Sequence, residues 1–233
     1  MISNKSIVIL GASADMAKPF IEKLMSGNSF GTYYLLARDV TKLNDIKSNL
    51  ILSGAEVNVL SIDLSGPFEP FYFKEVHCFV SFAGWLPENN NQLEKSMLIN
   101  YEAIKQFTLD LITNNQSTLE HVMIIGSIAG VRVRQSNWNY GAAKGALHQF
   151  AIELQRTYTS FRTTLIIPGY VQTKMLDGLK TPKPLTLSTD AMADKLIGHL
   201  KTKPGLVYSQ TAWRVIGMIL LLIPEFIFKR LKF

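Results

Sequence analysis

The feature that most constrains the fold is a regular alternation of short apolar runs with helix-forming segments. The first run, SIVIL at 6–10, ends at Gly11, and helical spacing follows over 16–25. The later apolar runs lie at 33–37, 56–63, 76–84, 121–127, 163–169 and 205–209, and the helical segments at 40–52, 92–114, 137–159 and 189–201. Apolar strands alternating with helices predict an α/β chain, a doubly wound parallel sheet of about seven strands with helices on both faces. Two prolines in 65–73 predict a loop or a degraded helix there.

Length and composition favour one large domain followed by a short tail. The 233 residues, 47% of them hydrophobic, can form one α/β core, and no repeat or linker interrupts them. We therefore predict an α/β domain over 1–210 and a separate apolar, basic segment over 211–233. The single cysteine, Cys78, predicts a reducing, cytoplasmic location, and the first residues lack the pattern of a signal peptide.

The tail combines apolar residues with basic ones. Residues 201–233 hold six Lys or Arg against Glu225, most of the net charge of +6. The uncharged run Val215–Ile223 is too short to cross a membrane, and Pro224 interrupts it. Two interpretations stay open: a helix in the membrane interface, with Lys229, Arg230 and Lys232 at the headgroups, or a helix packed on the body or in an oligomer interface. Basic clusters with interleaved aromatics do not occur elsewhere, which argues against nucleic-acid binding.

Chemistry-bearing residues fall where the predicted strands end. Parallel sheets bind ligands beyond the carboxyl ends of their strands. The residues at those ends are Gly11, Arg38, Asp63, Gly84, Ser127 and Pro168. A further pair, Tyr140 and Lys144, lies one turn apart on the helix after Ser127, so both side chains share a face.

With Asn100, these residues form a set that resembles the short-chain dehydrogenase/reductase family. The resemblance rests on the spacing of Asn100, Ser127, Tyr140 and Lys144 and covers about residues 5–175. It implies a Rossmann-type fold, an NAD(P)-dependent oxidoreductase, and a homodimer or homotetramer. It also implies roles: Tyr140 as general acid, Ser127 positioning the carbonyl, Asn100 holding a relay water, and Lys144 binding ribose. The ammonium of Lys144 is expected to lower the pKa of Tyr140 from its usual value of about 10.

The cofactor segments match the family in part. The first loop, GASADMA, keeps Gly11, but Asp15 and Ala17 replace the family's next two glycines. Asp15 is a candidate cap for the following helix, whose start at Met16 could bind a pyrophosphate. Arg38 favours the 2′-phosphate of NADP, with Ser13 assisting, while Asp39 leaves NAD open. The remaining cofactor candidates that the resemblance implies are Asp63, Ala83, Gly84, Tyr140, Lys144, Pro168, Gly169, Val171 and Thr173.

The segment between Ser127 and Tyr140 bears on the substrate. Arg132 and Arg134 either form a solvated face or bind a substrate phosphate. The string GSIAGVRVRQSNWNYGAAK is similar to decaprenylphosphoryl-keto-ribose reductases and their relatives in bacterial surface-polysaccharide clusters, as are the apolar tail and its basic end. That resemblance implies a keto-sugar on a polyprenyl phosphate, met at the cytoplasmic membrane face. Two alternatives stay open: a soluble reductase of 3-oxoacyl or small carbonyl substrates, and an inactive, membrane-docked cofactor-binding protein.

No metal site is expected. The histidines have neither ligand spacing nor partner cysteines, and we interpret all four as structural: His77, His121, His148 and His199.

Overall fold

The computed structural model describes residues 3–89, 91–202 and 205–230, and it confirms the α/β fold. The central strands are β1 (Ser6–Leu10), β2 (Thr32–Ala37), β3 (Glu56–Ser61), β4 (Cys78–Ser81), β5 (His121–Ile125), β6 (Arg162–Ile167) and β9 (Gly205–Tyr208). They form a seven-stranded parallel sheet in the order β3-β2-β1-β4-β5-β6-β9. A two-residue pair, β7 (Tyr170–Val171) with β8 (Thr186–Leu187), lies apart from it. The strand order reverses between β1 and β4, the switch point at which such sheets bind ligands.

Helices join the strands much as the periodicity predicts. They are α1 (Ala17–Ser26), α2 (Asn44–Leu52), α3 (Leu93–Met97), α4 (Ala103–Asn115), α5 (Trp138–Thr157), α6 (Thr189–Leu200), α7 (Thr211–Leu222) and α8 (Glu225–Phe228). Two predicted helices are subdivided: 40–52 begins with a 3₁₀ turn, and 92–114 contains a π-helical turn over Leu98–Glu102. A π-turn inside an α-helix often marks a functional site.

The sheet has an apolar layer on each face. One layer joins the sheet to α1 and α6, and the other joins it to α4 and α5. Phe20 of α1 meets Phe82 with ring centroids 5.3 Å apart, so the first layer reaches the carboxyl edge of the sheet. The inner strands β1, β4, β5 and β6 are almost fully buried, which accounts for their continuous apolar sequences, whereas the edge strands β3 and β9 are partly exposed.

The proline-bearing segment 65–73 is a loop, as one of the two predictions had it. Its aromatic side chains pack on Phe107 of α4: the ring centroids of Phe68, Phe71 and Phe73 lie 6.1–6.3 Å from that of Phe107. Aromatic packing therefore fixes a crossover that has no helix of its own.

The tail forms two short helices that break at Pro224. Within the described ranges, no helix is long and apolar enough to cross a membrane. Trp213 and Phe228 are buried, whereas an outward stripe of α7 is exposed. The boundary after residue 210 stays a prediction, and Lys203 and Lys232 lie outside the described residues.

Candidate active site

The carboxyl edge of the sheet carries two adjoining cavities. One, about 150 Å³, is bordered by Ser127, Tyr140 and Lys144, and is called here the catalytic pocket. The other, about 250 Å³, is bordered by Gly11, Arg38 and Asp63 and is called the nucleotide cleft. Both are lined by residues 82–84, so together they form a continuous trough across the switch point.

Close packing of α5 on the turn after β5 brings Ser127 to Tyr140. A Cβ on Gly130 would lie 2.7 Å from the carbonyl carbon of Lys144, and one on Gly141 would lie 2.9 Å from the oxygen of Ala129. Glycine at both positions therefore lets the turn lie directly on the helix. The hydroxyls of Ser127 and Tyr140 are in hydrogen-bond contact as a result.

A histidine supports Ser127 from behind. The backbone N–H of Ser127 donates to His148 Nε2 at 3.2 Å, and the Ser127 hydroxyl accepts the N–H of Ala129 at 3.2 Å. Burial, with the nearby charge of Lys144, lowers the pKa of His148 to about 4, so its ring is neutral and can accept. His148 was predicted to be structural, but its contact with Ser127 was not predicted from the sequence. The available signal was its position four residues after Lys144, on the same helix face.

Asn100 lies in the π-turn and is fully buried. Its Oδ1 accepts the N–H of Trp85 at 2.8 Å, and its Nδ2 donates to the carbonyl of Trp85 at 2.8 Å and to Ser96 Oγ at 3.1 Å. A Cβ on Gly84 would lie 3.4 Å from Lys144 Nζ and 3.5 Å from Asn100 Oδ1. Asn100 therefore holds the chain after β4 beside Lys144; its predicted relay water stays a prediction.

Lys144 is a buried cation held by backbone oxygens. Its Nζ donates to the carbonyls of Ile125 at 3.2 Å and Ala83 at 3.4 Å, and the residue is 3% exposed. Burial lowers the pKa of Lys144 to about 8, because neutral carbonyls replace only part of the lost hydration.

The expected depression of the Tyr140 pKa is wrong for this structure. Burial raises the pKa of Tyr140 to about 12, and the hydrogen bond with Ser127 opposes this only in part. Lys144 Nζ lies 5.9 Å from the centroid of the tyrosine ring and directs its protons to carbonyls. Desolvation of the phenolate therefore outweighs any attraction to the ammonium, and Tyr140 holds its proton at neutral pH.

The first loop lies directly against the chain after β4, although Asp15 and Ala17 stand where the family has glycines. Gly11 has a φ of 77°, and a Cβ there would lie 2.8 Å from the nitrogen of Ala83. Asp15 does not cap α1: the helix follows Met16 without a side-chain cap, and Asp15 Oδ2 instead accepts the N–H of Lys174 at 2.7 Å. This hydrogen bond ties the first loop to the segment after β7 and directs the carboxylate towards that segment.

The far end of the nucleotide cleft is basic. Arg38, Lys42 and Lys95 line it, together with Ser13. The two acids there are engaged by their own turns. Asp39 accepts the Thr41 N–H at 3.1 Å and Thr41 hydroxyl at 2.5 Å, and Asp63 accepts the Ser65 N–H at 2.9 Å and hydroxyl at 2.7 Å. These hydrogen bonds lower the pKa of both carboxyls, so the acids are ionised but already committed as acceptors.

The segment after β6 borders the catalytic pocket and is fixed by the tail. The pocket is lined by four residues of this segment, Pro168, Gly169, Val171 and Thr173, and by Met16, which directly precedes α1. A Cβ on Gly169 would lie 1.9 Å from the indole of Trp213, so glycine is required there by α7. Trp213 Nε1 donates to the carbonyl of Leu185 at 2.9 Å, and the indole meets Tyr170 edge-on at 5.1 Å. This role of Trp213 was not predicted from the sequence.

The two arginines that were candidates for binding a substrate phosphate point to different places. Arg134 lines the catalytic pocket. Arg132 does not: its Nη1 donates to the carbonyls of Leu220, at 2.5 Å, and of Ile223, and its Nη2 pairs with Glu225 at 2.8 Å. It thus caps the carboxyl end of α7, where carbonyls lack helical partners and a cation is favoured. We therefore assign Arg132 to the tail and not to the substrate.

The other predicted structural residues have ordinary partners. His77 Nδ1 accepts the N–H of Ser6 at 3.2 Å, and His121 Nε2 lies 2.9 Å from Thr164 Oγ1. Within the described ranges, no cluster of three His, Cys, Asp or Glu side chains could hold a metal ion. Cys78 is buried, and burial raises the pKa of its thiol to about 12, so it is an unreactive core residue.

The part of the chain that carries the tetrad matches a known family. The model of the short chain dehydrogenases covers residues 72–184, a little under half of the chain, and includes Asn100, Ser127, Tyr140 and Lys144. This segment is similar to the short-chain dehydrogenase family. The family's segment therefore extends from the loop before β4 to the segment before β8.

Relatives and solved structures extend the likeness to the rest of the chain. An uncharacterized oxidoreductase of Mycobacterium tuberculosis is 32% identical over 112 residues, which are 47% of this chain and 45% of the relative. The match thus spans about half of the mycobacterial relative. An uncharacterized oxidoreductase of Staphylococcus epidermidis is 26% identical over 219 residues, which are 87% of this chain and 93% of the relative. The NADPH complex of a short-chain dehydrogenase from Sphingobium yanoikuyae has a TM-score of 0.78 over 95% of this chain and 97% of that one, at 18% identity. The whole chain therefore has the short-chain dehydrogenase fold.

Removing the buried charge of Lys144 should stabilise the protein near neutral pH. The folded-state pKa of about 8 lies below the usual 10.5, so the folded state disfavours the proton that the unfolded chain keeps. This cost is complete below about pH 8 and disappears as pH rises towards 10.5. We expect Lys144→Met to gain about 1–3 kcal/mol at about pH 7, less at about pH 9.5.

Urea unfolding at the two pH values measures this difference. Lys47→Met, at an exposed lysine of α2, removes the same charge and should change stability at neither pH. A Lys144→Met variant that is less stable than the wild type at neutral pH would contradict the assignment of an uncompensated buried cation.

Proposed function

We propose that the protein is an NADPH-preferring reductase of carbonyl groups. The observation that carries the proposal is the convergence of Ser127, Tyr140 and Lys144 on a pocket that continues into the nucleotide cleft. The raised pKa of Tyr140 supports reduction over oxidation, since reduction needs a phenol that still carries its proton. The relatives are described as oxidoreductases, and a structure of the same fold contains NADPH.

The residues of the trough fit a dinucleotide. Gly11 brings the first loop against Ala83 without a side chain between them, which leaves the edge of the sheet open to a pyrophosphate. Arg38 and Lys95 supply cations where a 2′-phosphate would lie, whereas Lys42 pairs with Asp39 at 3.4 Å. Asp39 and Asp63 are also held by their own turns. This charge distribution supports NADPH over NADH, with NADH as the weaker cofactor. Asp15, bound to Lys174, does not line the cleft.

Each residue of the tetrad has a role that its contacts support. NADPH, when bound, supplies the hydride for the carbonyl carbon. The Tyr140 hydroxyl donates its proton to the carbonyl oxygen, which can reach Ser127 and Tyr140 together because those hydroxyls are in contact. Lys144, fixed by two carbonyls, would hold the ribose of the cofactor. His148 and Asn100 are positioning residues for Ser127 and for the chain after β4.

For the substrate we propose a keto-sugar on a polyprenyl-phosphate carrier, used in cell-surface polysaccharide synthesis. The similarity of GSIAGVRVRQSNWNYGAAK to keto-ribose reductases of that kind supports it, as does the position of Arg134 at the catalytic pocket. There are two alternatives. The first is a soluble reductase of 3-oxoacyl or small carbonyl compounds, and the second is an inactive, membrane-docked cofactor-binding protein. A homodimer or homotetramer remains part of the proposal.

We further propose that the tail docks on the cytoplasmic face of a membrane. Four apolar residues of α7, Val215, Met218, Ile219 and Leu222, follow helical spacing and are 45–81% exposed. Phe226 continues the exposed apolar surface on α8. The basic residues Arg214, Lys229 and Arg230 lie at the two ends of this stripe and suit anionic headgroups.

Tyr140→Phe should lose turnover and keep cofactor binding. The variant lacks only the transferable proton, so we expect NADPH affinity within about twofold and a loss of rate of about 10²–10⁴. NADPH absorbance follows the reaction with farnesyl-phosphate-linked keto-ribose, and acetoacetyl-CoA tests the alternative substrate class. Tyr158→Phe, at the end of the same helix, is the matched control. Full turnover by Tyr140→Phe would remove Tyr140 as the acid.

Arg38→Ala should weaken NADPH binding selectively. Loss of a charge-assisted contact to the 2′-phosphate is expected to cost about 10- to 100-fold in NADPH affinity and to leave NADH nearly unchanged. Titration of nicotinamide fluorescence measures both cofactors, and Arg156→Ala, an exposed arginine at the end of α5, is the control. Equal wild-type affinities for NADPH and NADH would contradict the proposed preference, and binding of neither would favour the inactive protein.

The double variant Met218→Glu/Leu222→Glu should reduce membrane binding. Sedimentation with vesicles of phosphatidylglycerol and phosphatidylethanolamine compares it with the wild type, and we expect at least about a tenfold loss of partitioning. Leu52→Glu, at an 85% exposed leucine of α2, is the matched control. Equal pelleted fractions would exclude the membrane contact. A dimer that the double variant dissociates would instead assign the stripe to a second copy of the chain.

A further inference from the structure

A second cavity lies beside the catalytic pocket and beneath the tail helix. It has a volume of about 250 Å³, and we call it the tail cavity. Its walls come from the turn after β5, from residues 182–185 and from the inner face of α7. It shares Ile128, Ala129, Arg134 and Tyr170 with the catalytic pocket, so the two spaces adjoin.

The lining of the tail cavity is chiefly apolar. Pro182 and Leu185 form one side, and Trp213, Ile216 and Leu220 form the side that belongs to α7. Arg132 and Arg134 are its charged members. The guanidinium of Arg132 is directed to the carbonyls at the end of α7 and lies 4.0 Å from the ring centroid of Phe228. The interior is therefore suited to a hydrocarbon chain and not to a sugar or a nucleotide.

Fixed contacts keep this space open at both ends of α7. At the start of the helix, Trp213 rests on Gly169 and donates to the carbonyl of Leu185. At its end, Arg132 binds the last carbonyls and Glu225. The helix is thus held at two points, one on either side of the cavity.

We propose that the tail cavity binds the apolar chain of the substrate whose carbonyl lies at Tyr140. This inference rests on the proposed reductase function and adds a second binding site to it. The chain would leave the catalytic pocket past Arg134 and run beneath α7. Arg134 lies at the junction, where a phosphate joining a polar head to an apolar chain would come. The outer stripe of the same helix is the proposed membrane contact, so the chain need not cross water to reach the cavity.

Binding of alkyl phosphates tests this proposal without any turnover. Isothermal titration calorimetry with butyl, octyl and dodecyl phosphate, each below its micellar concentration, measures affinity as a function of chain length. We expect dodecyl phosphate to bind at least about tenfold more tightly than butyl phosphate, since each buried methylene adds favourable transfer free energy. Equal affinities across the series would overturn the proposal.

Variants of α7 locate the binding site. Leu220→Trp fills the cavity and should remove most of the chain-length dependence, with Ile216→Phe as a second, smaller filling variant. Leu221→Trp adds the same side chain at a 60% exposed position of α7 and should leave it unchanged. The outer-stripe variant Met218→Glu/Leu222→Glu should also keep it. Loss of chain binding in the outer-stripe variant, or none in either filled variant whose thermal unfolding is normal, would overturn the assignment.

Failure of this inference is distinguishable from failure of the proposed function. NADPH-dependent turnover of a short keto substrate together with a flat alkyl phosphate series would overturn the tail cavity alone. Chain-length-dependent binding without turnover of any carbonyl would overturn the reductase, and with it the assignment of the bound chain to a substrate.

Discussion

The hydrogen-bond register of the parallel strands is the constraint on which the rest of the structure depends. Leu10 pairs with Ser81, Ser81 with Ile124, and Ile125 with Ile166, so the strands stop at one level. The ladder continues one residue further. The N–H of Phe82 donates to the carbonyl of Leu10 at 2.8 Å, and the N–H of Gly126 donates to the carbonyl of Ile166 at 2.7 Å. Side chains distant in sequence therefore meet at one edge because their strands are aligned, and α5 then adds Tyr140 and Lys144 to that edge.

At this edge the fold accepts an unfavourable charge. Among the residues that the structure describes, Lys144 is buried against carbonyls without a carboxylate in contact, and Tyr140 is buried with its proton. We expect an apolar residue at position 144 to give a more stable fold, so the proposed chemistry, and not packing, would explain the lysine. The same desolvation that lowers the pKa of Lys144 raises that of Tyr140, and together these shifts keep a proton donor beside a cation that can hold a ribose.

The tail is apolar on two sides, and each side has its own explanation. Trp213, Ile216 and Leu220 face the body, where they cover the segment after β6 and enclose the tail cavity. Val215, Met218, Ile219 and Leu222 face outwards. A helix that only closed the core would have polar residues on its outer side. The two apolar sides are accounted for together if the helix lies between a membrane surface and a chain-binding space that adjoins the catalytic pocket.

The sequence by itself determined the strands, their alternation with helices, and the tetrad, because apolar periodicity and residue spacing are local signals. It also placed Arg38 and Asp63 at strand ends, and both line the nucleotide cleft. Only the tertiary structure decided where Arg132 and Asp15 point, since their partners, Leu220 and Lys174, are 88 and 159 residues away. It likewise decided the pKa of Tyr140, the support of Ser127 by His148, and the cavity beneath α7. Burial and long-range contacts set these properties, and neither can be read from a local pattern of residues.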